Sequence, residues 1–338
     1  MKLGLQLGYW AAKPPVDGNV GIARAAEALG FDSVWTAESW GNDVFTPLAW
    51  IGAHTSKIKL GTAIAQLSAR TPAACAMAAM TLDHLSGGRV ILGLGVSGPQ
   101  VVEGWYGQPF EKPLARTREY VDIVRQALRR EAPVRNPGPH YPLPYTGPGA
   151  TGVGKPLRPI IHPLRADLPI YLGAEGPKNV SQTARIADGW LPVYYSPFRQ
   201  EVYADQLQDA KPGFEIAPLV MVNLDDDLER ALLPAKMMLA FYIGGMGSQE
   251  HNFHKNLMCR MGFEAEANKI QECFLAGRQA EAVQYVPTSF ADEITLSGPK
   301  ARIKERLQAW RESPVTTLLI NGPRMDEATL RTIAELVL

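Results

Sequence analysis

Short runs of apolar residues alternate along this chain with stretches whose apolar positions recur every three or four residues. Compact apolar runs bounded by turn residues read as strands buried on both faces, and the longer recurrence reads as helices packed through one face. In the first third, strands are expected at 2–9, 33–37, 58–65 and 90–96. Helical patterns at 19–29, 47–54 and 71–85 lie between them, and a long one follows at 115–130. Asn19 is a fair cap for the first helix and Gly30 stops it, while Thr71-Pro72 supplies the third with a cap and a first-turn proline. Residues 97–114, with their glycines and prolines, are expected to be loop. The alternation resumes with strands at 169–174, 189–194, 215–224 and 316–320, and helices at 197–210, 227–242, 299–311 and 327–336, besides one opening at Pro177. Two stretches interrupt it. Residues 132–167 are too rich in proline and glycine to be helical, and 244–296 hold one clear helical pattern at 264–275. Eight strands, each trailed by a helix, point to an α/β fold: a (β/α)8 barrel forming a single domain over 1–338, with insertions after the fourth and seventh strands. A doubly wound open sheet uses the same units, but the strand count favours the barrel.

Composition narrows the function classes. Hydrophobic residues make up 46% of the 338 and charged residues 20%, a globular balance. The formal net charge is zero, so the chain lacks the basic surplus of a nucleic-acid binder. No apolar run is long enough to span a membrane, and the N-terminus enters the first strand without an apolar leader. Cys75, Cys259 and Cys273 form no CxxC and no paired framework. These features lead us to expect a cytoplasmic protein acting on a small molecule. The alanine-rich helix at 71–85 suggests close packing, within the barrel or at the face of a homodimer or higher oligomer.

Three local patterns carry candidate chemistry. Gly93-Leu94-Gly95-Val96-Ser97-Gly98 satisfies GxGxxG directly after a strand. A dinucleotide-binding turn is one reading, although the motif sits on the fourth strand and Pro99 follows at once. Tight packing at a turn is a second, and close approach of the backbone to a ring cofactor at the strand's carboxyl end a third. The fifth strand runs into Glu175-Gly176-Pro177-Lys178-Asn179. There a first-turn proline presets a helix whose free amides at Gly176, Lys178 and Asn179 suit a phosphate, or make an ordinary turn. Glu38, at the end of the second strand, stands where barrel enzymes keep their chemistry, but a salt bridge to a neighbouring arginine would also explain it. His251 and His254 lie three residues apart without further metal ligands in view, so they read as solvated loop histidines, and no metal is expected.

Taken together, longer stretches are more specific. Gly30-Phe31-Asp32-Ser33-Val34-Trp35 with Glu38 resembles the opening of luciferase-like monooxygenases and their deazaflavin relatives. So do Ile58 to Ile64 with Arg70-Thr71-Pro72, Thr81 to Gly95, and Ala187-Asp188-Gly189-Trp190, all in order and spacing. The variants at Ser97-Gly98-Pro99-Gln100 and Glu175-Gly176-Pro177 look most like the branch that uses coenzyme F420, a deazaflavin, and the chain looks close to methylenetetrahydromethanopterin reductases.

That resemblance implies a TIM barrel with the cofactor across the carboxyl ends of the strands. It implies a non-prolyl cis peptide at Ala63-Ile64 behind the ring. Glu38, Gln66, Val96, Ser97 and Gly98 would meet the ring's polar edge and side chain, and Glu175, Gly176, Pro177, Lys178 and Asn179 the phosphate-bearing tail. Of these, Glu38 is the candidate for a catalytic role, with positioning favoured over proton transfer. In the family's sugar-phosphate dehydrogenase, a histidine and a glutamate form an acid/base pair, and the matching positions here are Ser39 and Gly98. This argues against that activity and leaves the proton-handling group unassigned. The expectation is a coenzyme F420-dependent oxidoreductase that transfers hydride to or from a small organic substrate. The alternatives are an FMN-dependent monooxygenase on the same fold and a non-catalytic flavin-binding protein.

Overall fold

The structure, a computed structural model, describes residues 1–10, 12–247 and 252–338. The chain begins β1 (Lys2–Gln6), α1 (Val20–Ala28), β2 (Ser33–Thr36), α2 (Phe45–Ala53), β3 (Lys59–Thr62), β4 (Ala65–Gln66), α3 (Pro72–Ser86) and β5 (Val90–Gly95). It continues α4 (Pro99–Gly104), α5 (Pro113–Arg129), β6 (Ile170–Gly173), α6 (Pro177–Ile186), β7 (Gly189–Leu191), α7 (Glu201–Ala204), β8 (Glu215–Ile216), β9 (Leu219–Leu224) and α8 (Leu228–Gly245). The remainder is α9 (Phe253–Arg260), α10 (Glu264–Leu275), α11 (Gln279–Gln284), α12 (Thr288–Glu293), β10 (Thr295–Gly298), α13 (Lys300–Glu312), β11 (Thr317–Asn321) and α14 (Glu327–Val337).

This is an α/β fold built on one curled, parallel sheet. The strand order is β10-β9-β11-β1-β2-β3-β5-β6-β7-β8, with β4 beside β5. The stretch 215–224, expected as one strand, is split into β8 and β9 around Pro218, which has no N–H to give to a ladder. Its backbone is nonetheless bonded on both sides. Ala217 N–H donates to Trp190 O at 2.9 Å and Leu219 N–H to Pro192 O at 3.1 Å. Thr316 and Leu319 N–H donate to Ile216 O and Pro218 O, each at 2.9 Å.

Two apolar cores follow from this curl. A large one lies between the sheet and its helices and includes Leu3, Leu48, Met80, Tyr120, Leu172 and Leu330. A small one, of Trp35, Ile91, Tyr171, Leu191, Ala217 and Leu319, comes from the other faces of the strands. Trp35 needs room there, and Gly61 gives it: a Cβ at that position would stand 2.2 Å from Trp35 Cε3. The indole N–H donates to Ser33 Oγ at 2.8 Å, so burying this ring leaves no unpaired donor.

Several local expectations need correcting. Residues 99–104 form the helix α4, with Pro99 at its first turn, instead of loop. The helix expected at 197–210 shrinks to α7 and one 3₁₀ turn at Asp205–Leu207. Asn19 does not cap α1 through its side chain; Asp17 does the work, accepting from the N–H groups of Asn19 at 3.0 Å and Gly21 at 2.7 Å. Residues 295–298, placed across the end of the second insertion, are the strand β10 on the upper half of β9. Among the described residues of that stretch, α9, α11 and α12 join the expected helix at 264–275.

The 132–167 stretch follows helix α5 rather than a strand, so both its ends lie where helices hand back to strand beginnings. Arg130 donates to Pro159 O, and Arg165 pairs with Asp83 and the Val90 carbonyl at the start of β5. A bridge between Asn136 and Leu143 returns the chain along α5, where Tyr141 packs edge-on to Tyr120, ring centroids 5.5 Å apart.

Candidate active site at the carboxyl ends of the strands

The strand ends bring the expected residues together in two groups. The first surrounds Glu38, which is buried with 4% of its surface exposed. Both carboxylate oxygens are engaged. Arg70 binds them in a fork, with Nη1 3.0 Å from Oε2 and Nη2 on Oε1, and the Gln66 backbone N–H donates to Oε2 at 2.8 Å. Gln66 Nε2 returns a 2.8 Å bond to the Glu38 carbonyl. Burial works against the Arg70 charge, but Glu38's hydrogen bonds and charge outweigh it and raise the guanidinium's pKa. Arg70 also stacks over Phe45, 5.1 Å from the ring centroid. Glu38 is therefore an anchored ion-pair residue that fixes Gln66.

Beside it, the Ala63-Ile64 peptide is cis, as the resemblance implies, and Gln6 Nε2 donates to Ala63 O at 3.0 Å. The Ile64 side chain lies against Gly95 and Gly173, where added Cβ atoms would stand 2.9 and 3.2 Å from it. A Cβ at Gly93 would meet the Thr62 carbonyl at 1.9 Å, and Thr62 Oγ1 bonds both the N–H and the carbonyl of Gly93. Gly93 thus serves close packing between β3 and β5 and Gly95 gives room to Ile64, and the dinucleotide-turn reading falls. Val96 is half-buried, Ser97 turns the chain through a left-handed φ of 60°, and Gly98 accepts from the amides of Val101 and Val102 as α4 begins.

The second group lies at the end of β6. Gly176 caps α6 with Pro177 in its first turn, and its carbonyl accepts from the amides of Asn179 and Val180. Asn179's amide is thus not outward-facing as expected, whereas those of Gly176 and Lys178 find no partner among the described residues. Lys178 is exposed, and the side chain of Asn179 is half-buried. The Glu175 carboxylate turns away from the helix start towards His254 on α9, with Oε2 2.9 Å from Nδ1. A second anion on that carboxylate would be repelled, so Glu175 does not suit a phosphate. His251 lies outside the described residues.

The family model described as luciferase-like monooxygenase matches residues 4–317. This chain belongs to that family. It is 52% identical, over 100% of its length and 99% of the relative's, to a Mycobacterium tuberculosis protein whose name assigns it, provisionally, to the coenzyme F420-dependent oxidoreductases. It is 32% identical to the 5,10-methylenetetrahydromethanopterin reductase of Methanolobus tindarius, over 89% of each chain. Its fold superposes on the coenzyme F420-dependent tetrahydromethanopterin reductase of Methanopyrus kandleri with a TM-score of 0.80, at 22% identity, covering 99% and 98% of the two chains.

Within this luciferase-like family member, buried polar atoms without a partner mark where a ligand belongs. Nine such side-chain atoms occur among the described residues. Five of them, on Glu175, Asn179, Tyr203, His254 and Arg260, gather at the β6 end, and Gln66 Oε1 is a sixth in the first group. Glu175 Oε2 and His254 Nδ1 count among these despite their 2.9 Å separation, because the contact is close but poorly aligned. Gln66 Oε1 in the first group and the two free amides at the β6 end fit a cofactor with a polar edge and an anionic tail. Sequence reasoning offered Glu38 a salt bridge to an arginine without naming Arg70, read His254 as a solvated loop histidine, and did not single out Arg260, Tyr194 or Tyr242. Arg70 stood inside a quoted motif, but the others carried no local signal. No group of side chains able to hold a metal ion occurs among the described residues, and no helix there is long and apolar enough to cross a membrane.

Proposed function

We propose that this chain is a coenzyme F420-dependent oxidoreductase that transfers hydride between the deazaflavin and a small organic substrate. The observation that carries this reading is the β6 end. Free amides at Gly176 and Lys178 open a ten-residue helix there. A helix start of this kind favours an anionic tail through its amides and its dipole. The full-length identity to a protein named for coenzyme F420 supports the choice of cofactor.

On this reading the deazaflavin supplies the hydride, and the protein supplies orientation and a dry face. Ala63, Ile64, Val96, Ser97 and Gly98 form the bed, while Gln66, locked by Glu38 and Arg70, offers Oε1 to a polar edge. Gly176, Pro177, Lys178 and Asn179 take the tail. The backbone bonds on both sides of 215–224 support a closed (β/α)8 barrel with β10 as an added strand. We infer that the enzyme works in the cytoplasm as a homodimer or higher oligomer; exposed Trp50 and Met77, on α2 and α3, favour association through those helices.

The test is anaerobic reoxidation of the reduced deazaflavin across a panel of carbonyl, imine and enone compounds. Turnover with at least one class is expected. Turnover only with reduced FMN and oxygen would replace this reading by the monooxygenase, and none with either would leave a flavin-binding protein.

A further inference from the structure

The bed at Ala63-Ile64 has a facing wall that none of the expectations above uses. Ile64 lies against Gly95 and Gly173, on β5 and β6. In the sheet, β1 and β7 stand on either side of the run β2-β3-β5-β6, and each is followed, three residues on, by a tyrosine. Both tyrosines border the bed. Gln6 Nε2 donates to Ala63 O at 3.0 Å, and the Gly8 N–H donates to Gln6 Oε1 at 3.1 Å. One side-chain amide thus joins the residue before Tyr9 to the cis peptide, and Gly8 turns the chain there through a left-handed φ of 67°. On the other side, a Cβ at Gly173 would stand 3.2 Å from Ile64 Cγ2 and 4.0 Å from Leu191 O, so the end of β7 adjoins the bed. Tyr194, beyond it, holds a left-handed φ of 54°, costly for a bulky residue and typical of functional positions.

The curl of the sheet and helix α8 bring the phenols together. Tyr242, on α8, packs edge-on to Tyr194 with ring centroids 6.1 Å apart. Burial first, and then Tyr242, Glu175 and Tyr9, push the Tyr194 phenol well above the usual range, so it keeps its proton. Neither its hydroxyl nor that of Tyr9 donates to an acceptor among the described residues. Tyr9 is 56% exposed and Tyr194 7%, so the cluster is open at Tyr9 and closed at Tyr194. Three features narrow the ligand. Two O–H donors call for an acceptor with two lone pairs, which a carbonyl oxygen has and a protonated imine lacks. The Glu175 charge reaches Tyr194 and Tyr242 and would repel a phosphate or carboxylate brought between them. Aromatic walls from β1, β7 and α8 suit a flat apolar group.

We propose that Tyr194 and Tyr9 donate hydrogen bonds to the reacting oxygen of an uncharged, ring-bearing carbonyl compound, held between these phenols and the bed. This rests on the reading above. When hydride from the reduced deazaflavin adds to the carbonyl carbon, the π pair moves to oxygen. The two hydroxyls stabilise the charge that builds there, and a proton from water completes the alcohol. The carbonyl compound is reduced and the deazaflavin oxidised; in the reverse direction the alcohol loses hydride to the oxidised deazaflavin and its proton to water.

Acetophenone is the probe, bound to protein loaded with oxidised deazaflavin, where no hydride can pass to the ketone. Its Kd and the infrared band of its carbonyl are read in wild type, Tyr194→Phe and Tyr9→Phe. The wild-type band should lie at lower frequency than in an apolar solvent, and each variant should reverse part of that shift. Acetophenone Kd should weaken by roughly 2–12-fold in each variant, the worth of one neutral hydrogen bond. In wild type, 4-acetylbenzoate should bind about tenfold more weakly than acetophenone. With reduced deazaflavin, kcat for acetophenone in Tyr194→Phe should fall by roughly 10²–10³-fold, while the deazaflavin Kd stays within about threefold. No saturable acetophenone binding, or an unshifted band, overturns the proposal in wild type alone, even if neither variant folds. A wild-type shift kept in both variants also overturns it, and 4-acetylbenzoate binding as tightly as acetophenone overturns the uncharged class. Should the wild type bind no deazaflavin, the function reading fails by itself, and the band recorded on the cofactor-free protein decides the wall.

Discussion

Replacing Glu38 by alanine should cost stability before it costs chemistry. The side chain accepts three hydrogen bonds, two of them from a guanidinium with 17% of its surface exposed. Removing it leaves Arg70 buried without its counter-ion, a change worth about 3–5 kcal/mol. Unfolding entropy near 2.1 cal/mol/K per residue gives about 0.7 kcal/mol/K for a chain of this length, so Tm should drop by roughly 4–7 °C. Gln66 loses its anchor at the same time, and cofactor affinity should weaken with it. The assay is calorimetry on Glu38→Ala, Arg70→Ala and the double variant. Because the two side chains form one unit, the double variant should be far less destabilised than the sum of the singles, with a coupling of roughly 0.5–3 kcal/mol. Additive losses, or a Glu38→Ala Tm within about 1 °C of wild type, would refute the ion-pair account.

Three further outcomes follow from named atoms. Gly176→Trp should fold, since an added Cβ meets nothing within 4 Å, yet weaken deazaflavin binding by at least tenfold, about 1.4 kcal/mol; equal affinity removes the tail from the α6 start. Gly93→Ala should lose about 1–3 kcal/mol because its Cβ would stand 1.9 Å from Thr62 O, whereas Gly41→Ala, with open space, should not; equal Tm values contradict the packing role. Asp326 caps α14, and the Thr329 backbone amide, then Arg324, hold its carboxyl down to about 2 from 3.8. A depressed folded pKa adds stability that is present above the unfolded value and lost as pH falls through the folded one. The Tm gap between wild type and Asp326→Asn should therefore close between about pH 4 and pH 2, and a gap that persists at pH 2 refutes it.

Periodicity made most of the fold legible, because buried parallel strands and one-faced helices leave strong local patterns. β5, α3 and α10 are examples. It failed where the cause is not local. Pro218 splits a strand whose apolar run continues through it, and β10 exists because its edge bonds to β9, which no pattern in 295–298 announces. At the site, Glu38, Ala63, Ile64 and Gln66 were visible through the resemblance, yet Arg70's fork on Glu38 spans 32 positions. The Glu175–His254 contact spans more, and only α8 and α9 folding over the strand ends creates it. A histidine in a stretch outside the alternating pattern looks solvated until its surroundings are assembled.

The central claim is tested most directly by titrating the purified protein with coenzyme F420 and with FMN, following the absorbance and fluorescence of each. The account predicts saturable binding of the deazaflavin at least tenfold tighter than of FMN, a difference of about 1.4 kcal/mol. FMN binding as tight or tighter, or no deazaflavin binding at all, would contradict it.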